Sequence, residues 1–333
     1  MRIIPVDAEA LEDAVAEAAR VLREGGLVAF PTETVYGLGA HALDPAAVER
    51  IYRAKGRPAY NPLIVHVASV GQARGLSSAW PAAADRLAER FWPGPLTLVV
   101  PRAAEIPGAV SAGLPTVGIR VPAHPVAHAL LEAAAIPVAA PSANRSTHVS
   151  PTTAAHVRRG LGERVDVILD GGATPVGIES TVLSLVGPVP TVLRPGSISL
   201  DELREVLGDV RAGADDPAGD AARPSPGMMD RHYAPSAVVR LFDPAARDAA
   251  LAAASAAAGE GRRVGVIAFA PAPAPGARVV AMPADAREYA ARLYAALHEL
   301  DDAGCEAIWI ERVPETAEWT GVRDRLRRGA TEG

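Results

Sequence analysis

Short apolar runs alternate along the chain with longer segments whose apolar residues recur at helical spacing. The first such segment places Leu11, Val15 and Leu22 on one helical face, and Asp7 precedes it as a candidate cap. The apolar run at 27–30 is too short for a helix and predicts a buried strand. A helix followed closely by a buried strand favours an α/β fold.

The next predicted helix has signals at both of its ends. Asp44 can cap it, Pro45 suits its first turn, and Gly56 can end it. Beyond this helix both patterns continue. The predicted strands are 63–67, 96–100, 117–121, 138–140, 165–169, 181–185 and 191–193, and the predicted helices lie near 81–91, 125–134, 152–159 and 200–207. This order of elements predicts an α/β domain with a mixed sheet over residues 1–208.

A polar stretch then interrupts the pattern. Residues 209–237 have no apolar period, as is typical of a linker, and they end in the dense motif SPGMMDRHYAP at 225–235. Both patterns resume after this motif. The predicted strands are 238–241, 264–269, 278–281 and 307–311, and the predicted helices lie near 244–258, 286–301 and 319–328. Residues 238–333 are therefore predicted to form a second, smaller α/β domain.

Composition narrows the class of protein. The chain has 33 basic and 39 acidic side chains, and its net charge of −6 argues against binding nucleic acid by bulk electrostatics. Its single cysteine, Cys305, excludes an intramolecular disulfide and fits a reducing cytosol. There is no charged-then-apolar leader and no apolar run of about 18 residues, so we expect a cytoplasmic protein that does not span a membrane.

Lys55 is the only lysine among the 33 basic residues. It opens the motif KGRPAYNPL at 55–63, in which Arg57 follows two residues later and Pro58 and Pro62 restrict the backbone. A lysine ammonium is a compact point charge that suits a phosphate oxygen. Two cations on a stiff backbone predict an anion-binding site, although cations at the end of a helix can also simply complement its dipole.

Further polar residues lie near predicted strand ends, where α/β proteins bind ligands. Hydroxyl and carboxylate side chains follow the strand at 27–30, and Ser142 and Asn144 follow the strand at 138–140. His66 and Arg120 lie within strand patterns. A histidine there is as readily structural as ligand-binding, whereas an arginine there must be paired or functional, because an unpaired buried charge is costly.

Several familiar sites are missing from the sequence. It has no phosphate loop of the P-loop type, no Gly-x-Gly-x-x-Gly fingerprint, no zinc-spaced cysteines and no nucleophile elbow. His124 and His128 have helical metal-ligand spacing but no evident third ligand. Cys305 precedes an apolar strand and is predicted to lie in the core. The residues alone therefore indicate a cytosolic two-domain α/β protein compatible with a phosphorylated ligand.

Six segments taken together resemble the YrdC-type family, in particular its two-domain L-threonylcarbamoyladenylate synthases. They are residues 31–39, 55–63, 141–144, 179–182, 193–196 and 225–235, and they follow the order of the family. The segment 145–148 departs from the usual pattern. The resemblance implies a YrdC-like twisted mixed-sheet domain followed by a Rossmann-like domain, and an enzyme that makes threonylcarbamoyl-AMP and pyrophosphate from L-threonine, bicarbonate and ATP.

The resemblance also implies roles for particular residues. The Lys-x-Arg and Ser-x-Asn signature of the family falls on Lys55, Arg57, Ser142 and Asn144. The implied L-threonine contacts are Thr32, His66, Arg120 and Ser180. The implied ATP contacts are Lys55, Thr116, Ser142, Asn144, Ser150, Arg194 and Tyr233, the last from a linker that could close over the site. Mg²⁺ is expected to be carried by the ATP phosphates, because no acidic cluster is evident in the sequence.

Downstream tRNA threonylcarbamoyl-transfer proteins are the implied partners, and tight direct tRNA binding is not expected. Two other hypotheses remain open from the sequence. A non-catalytic RNA- or tRNA-binding module of the same fold is opposed by the acidic balance and by the lack of interleaved aromatic residues. A carbamoyl-transfer module of hydrogenase-maturation proteins would need an acylphosphatase-like segment and zinc-finger cysteines, which this sequence lacks.

Overall fold

The computed structural model describes residues 1–7, 10–213, 225–226, 233–270 and 273–331. The chain divides into two units. The amino-terminal unit comprises Met1–Ser146, Pro151–Pro175 and Glu179–Met228, and the carboxy-terminal unit comprises Thr147–Ser150, Val176–Ile178 and Met229–Gly333. Two short segments that precede residue 179 in the sequence thus belong to the second unit.

A mixed sheet organises the amino-terminal unit, as the sequence predicted. Its described strands are β1 (Arg2–Pro5), β2 (Val28–Pro31), β3 (Tyr36–His41), β4 (Ile64–His66), β5 (Leu96–Pro101), β6 (Thr116–Arg120), β7 (Val138–Ala139), β8 (Val167–Asp170), β9 (Thr181–Ser184), β10 (Thr191–Arg194) and β11 (Arg211–Ala212). They lie in the order β1-β8-β2-β3-β7-β4-β6-β5-β9-β10-β11. The β4–β6 pair is parallel and the β5–β6 pair antiparallel.

Helices connect these strands. They are α1 (Leu11–Arg23), α2 (Pro45–Lys55), α3 (Val70–Gly75), α4 (Ala82–Phe91), α5 (Pro125–Ala134), α6 (Ala154–Leu161) and α7 (Leu200–Leu207). The predicted signals of α2 are confirmed, because the Asp44 side chain accepts from the Ala46 backbone N–H and Gly56 is left-handed at the other end. In α7, Ser199 and Glu202 form a reciprocal capping box.

Apolar side chains cover both faces of the sheet. Along β2, Val28 and Phe30 belong to one buried cluster with the inner faces of α1 and α5, whereas Ala29 belongs to a second cluster with α2 and the neighbouring strands. Successive strand residues point to opposite faces. Ile119 of β6 is fully buried in the second cluster. The strands therefore read as near-continuous apolar runs, as in other sheets covered on both sides.

The sequence predicted none of four elements that the structure contains: β1, β3, α3 and β11. No strand was predicted for the segment of β3, in which polar side chains follow the strand at 27–30. In the structure Gly39 pairs with Val28, and a Cβ on Gly39 would lie 2.8 Å from Cγ1 of Val138 and 2.9 Å from the Phe30 ring. The glycine is needed for close strand packing, which no local signal reveals.

The start of α1 was also predicted wrongly. The helix begins at Leu11, and Ala10 occupies the cap position without a side-chain hydrogen bond. Asp7 accepts a hydrogen bond from the Ala10 backbone N–H at 2.8 Å, so it stabilises the turn before the helix rather than the helix itself. An aspartate four residues before an apolar stripe is compatible with either arrangement.

The carboxy-terminal unit contains a parallel sheet, in agreement with the predicted second α/β domain. Its described strands β12 (Val238–Phe242), β13 (Val264–Ala268), β14 (Arg278–Ala281) and β15 (Ala307–Glu311) lie in the order β12-β15-β13-β14. Its helices are α8 (Arg247–Gly259), α9 (Ala286–Asp302) and α10 (Thr320–Gly329). Cys305 is buried two residues before β15, which confirms its predicted core position.

The predicted boundaries at 208 and 238 stay a prediction. Within the proposed linker, residues 214–224 and 227–232, which include most of the SPGMMDRHYAP motif, lie outside the described residues. In the part of the chain that the structure describes, no helix is both long and apolar enough to cross a membrane.

Replacing Gly196 with alanine tests the close approach of two chain segments after β10. An added Cβ would lie 2.4 Å from the Thr181 backbone nitrogen and 2.7 Å from the Glu179 carbonyl oxygen, and backbone cannot retreat as a flexible side chain can. We expect Gly196→Ala to lower the free energy of unfolding by about 1–3 kcal/mol in urea titration. Gly160→Ala in α6, where no atom lies within 4 Å of the added Cβ, is the matched control and should be neutral or stabilising. Equal stability of the two variants would contradict the described packing.

Candidate active site

The polar residues singled out in the sequence lie on neighbouring strands of the amino-terminal sheet. His66 ends β4 and Arg120 ends β6, and the two are partners in the parallel register. β4 also pairs with β7, which precedes the loop of Ser142 and Asn144. On the other side of β6, β5 connects to β9, which begins directly after Ser180. The strand order thus gathers residues that are far apart in the chain.

Lys55 ties the end of α2 to the loop after β7. The residue is only 3% exposed, and its ammonium donates to the backbone carbonyls of Ser142 and Asn144. The Oδ1 atom of Asn144 lies 3.4 Å from Nζ. An ammonium has three donors, and the two backbone carbonyls are the nearer acceptors of this one. The lone lysine therefore fixes the Ser-x-Asn loop by direct contact.

The electrostatic surroundings of Lys55 disfavour its charge. Burial lowers the pKa of Lys55 well below its usual value, and the Arg57 guanidinium lowers this pKa further. The Glu179 carboxylate acts in the opposite direction and so lies close enough to interact with the ammonium. Because Glu179 is itself buried and directly precedes Ser180, the lysine is coupled electrostatically to the start of β9.

Arg57 holds the turn that follows α2. Its Nε donates to the Asn61 carbonyl at 2.9 Å, and its Nη2 donates to Asn61 Oδ1 at 2.6 Å and to the Pro62 carbonyl at 2.7 Å. Both residues of the Lys-x-Arg pair are buried and donate to protein oxygens. The planar guanidinium fork suits three acceptors on one turn, whereas the ammonium suits two loop carbonyls.

The backbone of β3 supports the Ser-x-Asn loop. Ser142 forms an antiparallel bridge with Gly37, and the Ala143 backbone N–H donates to the Tyr36 carbonyl at 2.8 Å. The Asn144 amide donates to the Arg145 carbonyl at 2.8 Å. The loop is thus held on one side by β3 and on the other by the Lys55 ammonium.

Arg120 lies in a buried hydrogen-bond and ionic network. The sequence predicted that this arginine is paired or functional but did not identify its partners. Its Nη2 lies 2.7 Å from Glu33 Oε1, its Nη1 donates to Thr34 Oγ1 at 2.9 Å, and its Nε donates to the Gly94 carbonyl at 3.1 Å. Thr32 Oγ1 lies 2.8 Å from Thr34 Oγ1, so the loop between β2 and β3 is tied to the end of β6. The sequence predicted that Arg120 is paired or functional, and the pairing is confirmed.

His66 adds a neutral ring to this network. Burial lowers the pKa of His66 to about 3, and the Arg120 charge contributes in the same direction. Its Nδ1 has no hydrogen-bond partner among the residues that the structure describes. The Phe30 ring stands edge-on to the imidazole with centroids 6.3 Å apart. A buried polar atom without a partner indicates a position where a ligand or water can bind.

Ser180 and Arg194 form a third group with Thr97. Arg194 donates to the Ser180 carbonyl at 2.9 Å through Nη2 and at 3.1 Å through Nε, and Nη2 also reaches Ser180 Oγ at 3.1 Å. Thr97 Oγ1 lies 2.8 Å from Ser180 Oγ. The guanidinium further donates to the Pro226 carbonyl at 3.3 Å. Arg194 thereby joins β10 to the start of β9 and to a described residue of the proposed linker.

Thr116 lies at the other end of β6 from Arg120, beside a small cavity. The cavity is also lined by Thr97, Ser111, Val182 and Pro226, and its free volume is about 10 Å³, roughly the space of one water molecule. A nucleotide base does not fit into that volume. The predicted nucleotide contact of Thr116 stays a prediction.

Ser150 and Tyr233 belong to the carboxy-terminal unit. Tyr233 is 1% exposed and has a φ of 60°, with its ring stacked on Tyr294 and the Arg325 guanidinium 4.9 Å from the ring centroid. The Ser150 carbonyl contacts His298 Nε2 at 3.1 Å. In this structure Tyr233 is anchored within its unit rather than free on a connector, and the ATP contacts of both residues stay predictions.

Three residues of these networks were not chosen from the sequence as site residues. Thr34 and Glu33 stand in the segment at 31–39, where the sequence showed polar residues but not their partners. Thr97 interrupts the apolar run of β5 and is fully buried. A polar residue inside an apolar strand is a usable signal, because a buried hydroxyl needs a partner.

No group of three or more histidine, cysteine, aspartate or glutamate residues suited to a metal ion occurs in the described part of the chain. His124 Nδ1 accepts from the Val126 backbone N–H at 3.2 Å, and His128 lies 3.5 Å from Glu132. Glu33 is taken up by Arg120. These residues do not fit a direct protein site for Mg²⁺.

Two family models match the chain. The Sua5/YciO/YrdC model, described as "Telomere recombination", matches residues 20–196. The model described as "Threonylcarbamoyl-AMP synthase, C-terminal domain" matches residues 198–331.

Relatives are similar over almost the whole length. The threonylcarbamoyl-AMP synthase of Pyrococcus abyssi is 44% identical over 319 residues, which are 94% of this chain and 93% of the relative. That of Bacillus subtilis is 41% identical over 321 residues, which are 95% of this chain and 92% of the relative. The crystal structure of P. abyssi Sua5 complexed with L-threonine has a TM-score of 0.92 and 43% identity, and the match covers 99% of this chain and 97% of that chain.

A shorter structure matches the amino-terminal part of the chain. Escherichia coli YciO has a TM-score of 0.54 and 26% identity, and the match covers 61% of this chain and 98% of that one. The predicted fold class is therefore confirmed. Since both family models match in order and full-length relatives exceed 40% identity, this chain belongs to the Sua5/YciO/YrdC family in its two-domain, threonylcarbamoyl-AMP synthase form.

Proposed function

We propose that this protein is a threonylcarbamoyl-AMP synthase that converts L-threonine, bicarbonate and ATP to threonylcarbamoyl-AMP and pyrophosphate. The observation that carries the proposal is the pairing of two buried polar clusters on neighbouring strands. One contains Arg120, Glu33 and His66 and suits an amino acid, and the other contains Lys55 with the Ser-x-Asn loop and suits a phosphate chain. The likeness to full-length synthases supports the same assignment.

The chemistry requires charge cancellation more than a nucleophilic side chain. The ammonium of zwitterionic threonine first loses its proton to solvent, and the resulting neutral amine attacks the carbon of bicarbonate, giving a carbamate and water. A carbamate oxygen then attacks the α-phosphorus of ATP, and the bond to the β-phosphate oxygen breaks to release pyrophosphate. Both reactants of the second step are anions, so bringing them together requires nearby cations and fixed donors. Positioning of the reactants supplies a further part of the rate.

The proposed amino acid contacts follow the resemblance and have suitable surroundings. Arg120 is the cation for the carboxylate of threonine, and neutral His66 offers Nδ1 as a hydrogen-bonding atom. Thr32 and Ser180 contribute hydroxyl groups; Thr32 directly follows β2 and Ser180 directly precedes β9. Because Ser180 is already held by Arg194, its orientation is fixed before a ligand arrives.

Three of the proposed ATP contacts lie at the Ser-x-Asn loop: Ser142 and Asn144 belong to it, and Lys55 donates to their carbonyls. Arg57, the other cation of the family signature, fixes the turn that follows α2. Thr116, Ser150, Arg194 and Tyr233 complete the proposed set. We propose that Mg²⁺ is held by the phosphates of ATP, where it neutralises their charge when bound, because the described side chains do not fit a direct site.

The product is a reactive mixed anhydride, and we propose that tRNA threonylcarbamoyl-transfer proteins consume it. The alternative of a non-catalytic RNA- or tRNA-binding module has no support in these observations. The net charge of −6 opposes electrostatic binding of a nucleic-acid backbone. The buried cations donate to protein oxygens and do not form a basic surface.

Pyrophosphate release from ATP tests the proposed reaction. Release should require L-threonine and bicarbonate together, because the phosphate is attacked by a carbamate that forms from both. The measurement is a coupled pyrophosphate assay in four mixtures, with both co-substrates, with each one alone and with neither. Equal release when threonine or bicarbonate is omitted would refute the assignment.

Replacing Lys55 with methionine tests the ammonium that holds the Ser-x-Asn loop. The substitution keeps the stem but leaves the carbonyls of Ser142 and Asn144 without their donor, at a cost of about 1.5–3 kcal/mol. If the lost contact destabilises the transition state by this amount relative to the free enzyme and substrate, kcat/KM for ATP should fall about 10- to 100-fold. Arg53→Met, on the exposed face of the same helix, is the matched control. Unchanged kinetics of Lys55→Met would show that the loop does not need this contact.

A further inference from the structure

Glu33 is a buried carboxylate for which the resemblance to the family implied no role. It lies on the loop between β2 and β3 and is 7% exposed. Its Oε1 lies 2.7 Å from Arg120 Nη2, and its Oε2 accepts from the Ala123 backbone N–H at 3.1 Å. The side chain therefore joins β6 to the segment just before α5.

Both members of the ion pair with Arg120 are buried. Arg120 is 3% exposed, and its remaining nitrogens donate to Thr34 and to the Gly94 carbonyl. Glu33 Oε1 and Arg120 Nη2 are in ionic contact, and neither atom has an aligned hydrogen bond within the described residues. Such a pair is strongly coupled, because removing one member leaves an uncompensated charge in a medium of low polarity.

The balance of charge around Arg120 is set by Glu33. His66, the register partner of Arg120, is neutral at ordinary pH, since its pKa is lowered to about 3. Burial also lowers the pKa of His124, with Glu33 acting in the opposite direction. The guanidinium and the carboxylate thus cancel, and the cluster has no net charge.

A buried site without net charge discriminates between ligands by their own net charge. A zwitterionic amino acid enters with a balanced pair of charges, whereas a simple carboxylate brings one negative charge that nothing cancels. At short range in a poorly polar medium an unbalanced charge is worth several kcal/mol. If Glu33 were neutral, Arg120 would be the unbalanced charge, and the site would favour an anion instead.

We infer that Glu33 is a positioning residue that determines specificity: it orients Arg120 and cancels its charge, so that the site accepts an α-amino acid and rejects the corresponding acid without an amino group. The inference rests on the proposed function, which brings the amino acid to Arg120. Glu33 acts through Arg120 and need not touch the substrate. It thereby helps to ensure that the bound substrate carries the amine that the reaction consumes.

Equilibrium binding to the full-length protein tests this inference. Calorimetric dissociation constants are compared for L-threonine and for its analogue in which a hydroxyl replaces the α-amino group. The variant is Glu33→Gln, which keeps the shape and removes the charge. The matched control is Glu311→Gln in the carboxy-terminal unit. Glu311 is 5% exposed, lies 2.7 Å from Arg247 and accepts from the Phe269 backbone N–H at 3.1 Å, so it is also a buried carboxylate whose partners are an arginine and a backbone N–H.

The unaltered protein should bind threonine at least about tenfold more tightly than the hydroxy analogue. Glu33→Gln should weaken threonine binding and reduce this preference by at least about tenfold, whereas Glu311→Gln should leave the preference unchanged. Preservation of the preference in folded Glu33→Gln overturns the inference. If that variant does not fold, the unaltered protein still decides, because equal binding of both ligands overturns the inference. Absence of threonine binding by the unaltered protein overturns the proposed function itself.

Discussion

The cost of removing cations from water governs the arrangement of the amino-terminal unit. Within the described residues, four buried cations of this unit, Lys55, Arg57, Arg120 and Arg194, lie near strand and helix ends. Each must meet protein oxygens, because an uncompensated buried charge would cost about 3–5 kcal/mol. Lys55, Arg57 and Arg194 meet mainly backbone carbonyls, whereas Arg120 also meets a carboxylate. These requirements fix the loops that carry the other polar residues.

Carbonyl partners and a carboxylate partner create different electrostatic surroundings for a buried cation. A carbonyl satisfies the donors of a cation and leaves its positive charge, which suits loops proposed to handle phosphate. The carboxylate of Glu33 cancels the charge of Arg120, which suits a site proposed for an amino acid. Glu179 interacts with Lys55, whose pKa it acts to raise, and directly precedes Ser180 of the proposed amino acid site. The fold thus offers cationic and neutral surroundings on adjacent strands of one sheet.

The carboxy-terminal unit adds a separate constraint on two residues of the proposed site. The Tyr233 ring contacts both Tyr294 and Arg325, and Arg325 is itself paired with the buried Asp324 at 2.8 Å. Ser150 belongs to the same unit through its carbonyl contact with His298. Any closure of the linker over the site would therefore have to keep or break the stacking and cation–π contacts that hold this tyrosine.

The sequence predicted many elements well where the signal was local. The cap and end of α2, the alternation of strands and helices, and the need for a partner at Arg120 all follow from neighbouring residues. The predictions failed at β3, where Gly39 is required by Val138 from another strand, and at the start of α1, where Asp7 serves a turn. At β3 the deciding atom lies on another strand, whereas at α1 the contact is local and the sequence was compatible with either a cap or a turn.

The same limit applies to the site. The sequence by itself determined which residues carry charge and which motifs resemble the family, because these properties belong to single residues and short spacings. Only the tertiary structure decided that the Lys55 ammonium contacts the Ser142 loop and that Glu33 cancels Arg120, across 87 residues in each case. Strand order and burial create those pairings, and a desolvated charge must take whichever oxygen the fold brings within reach.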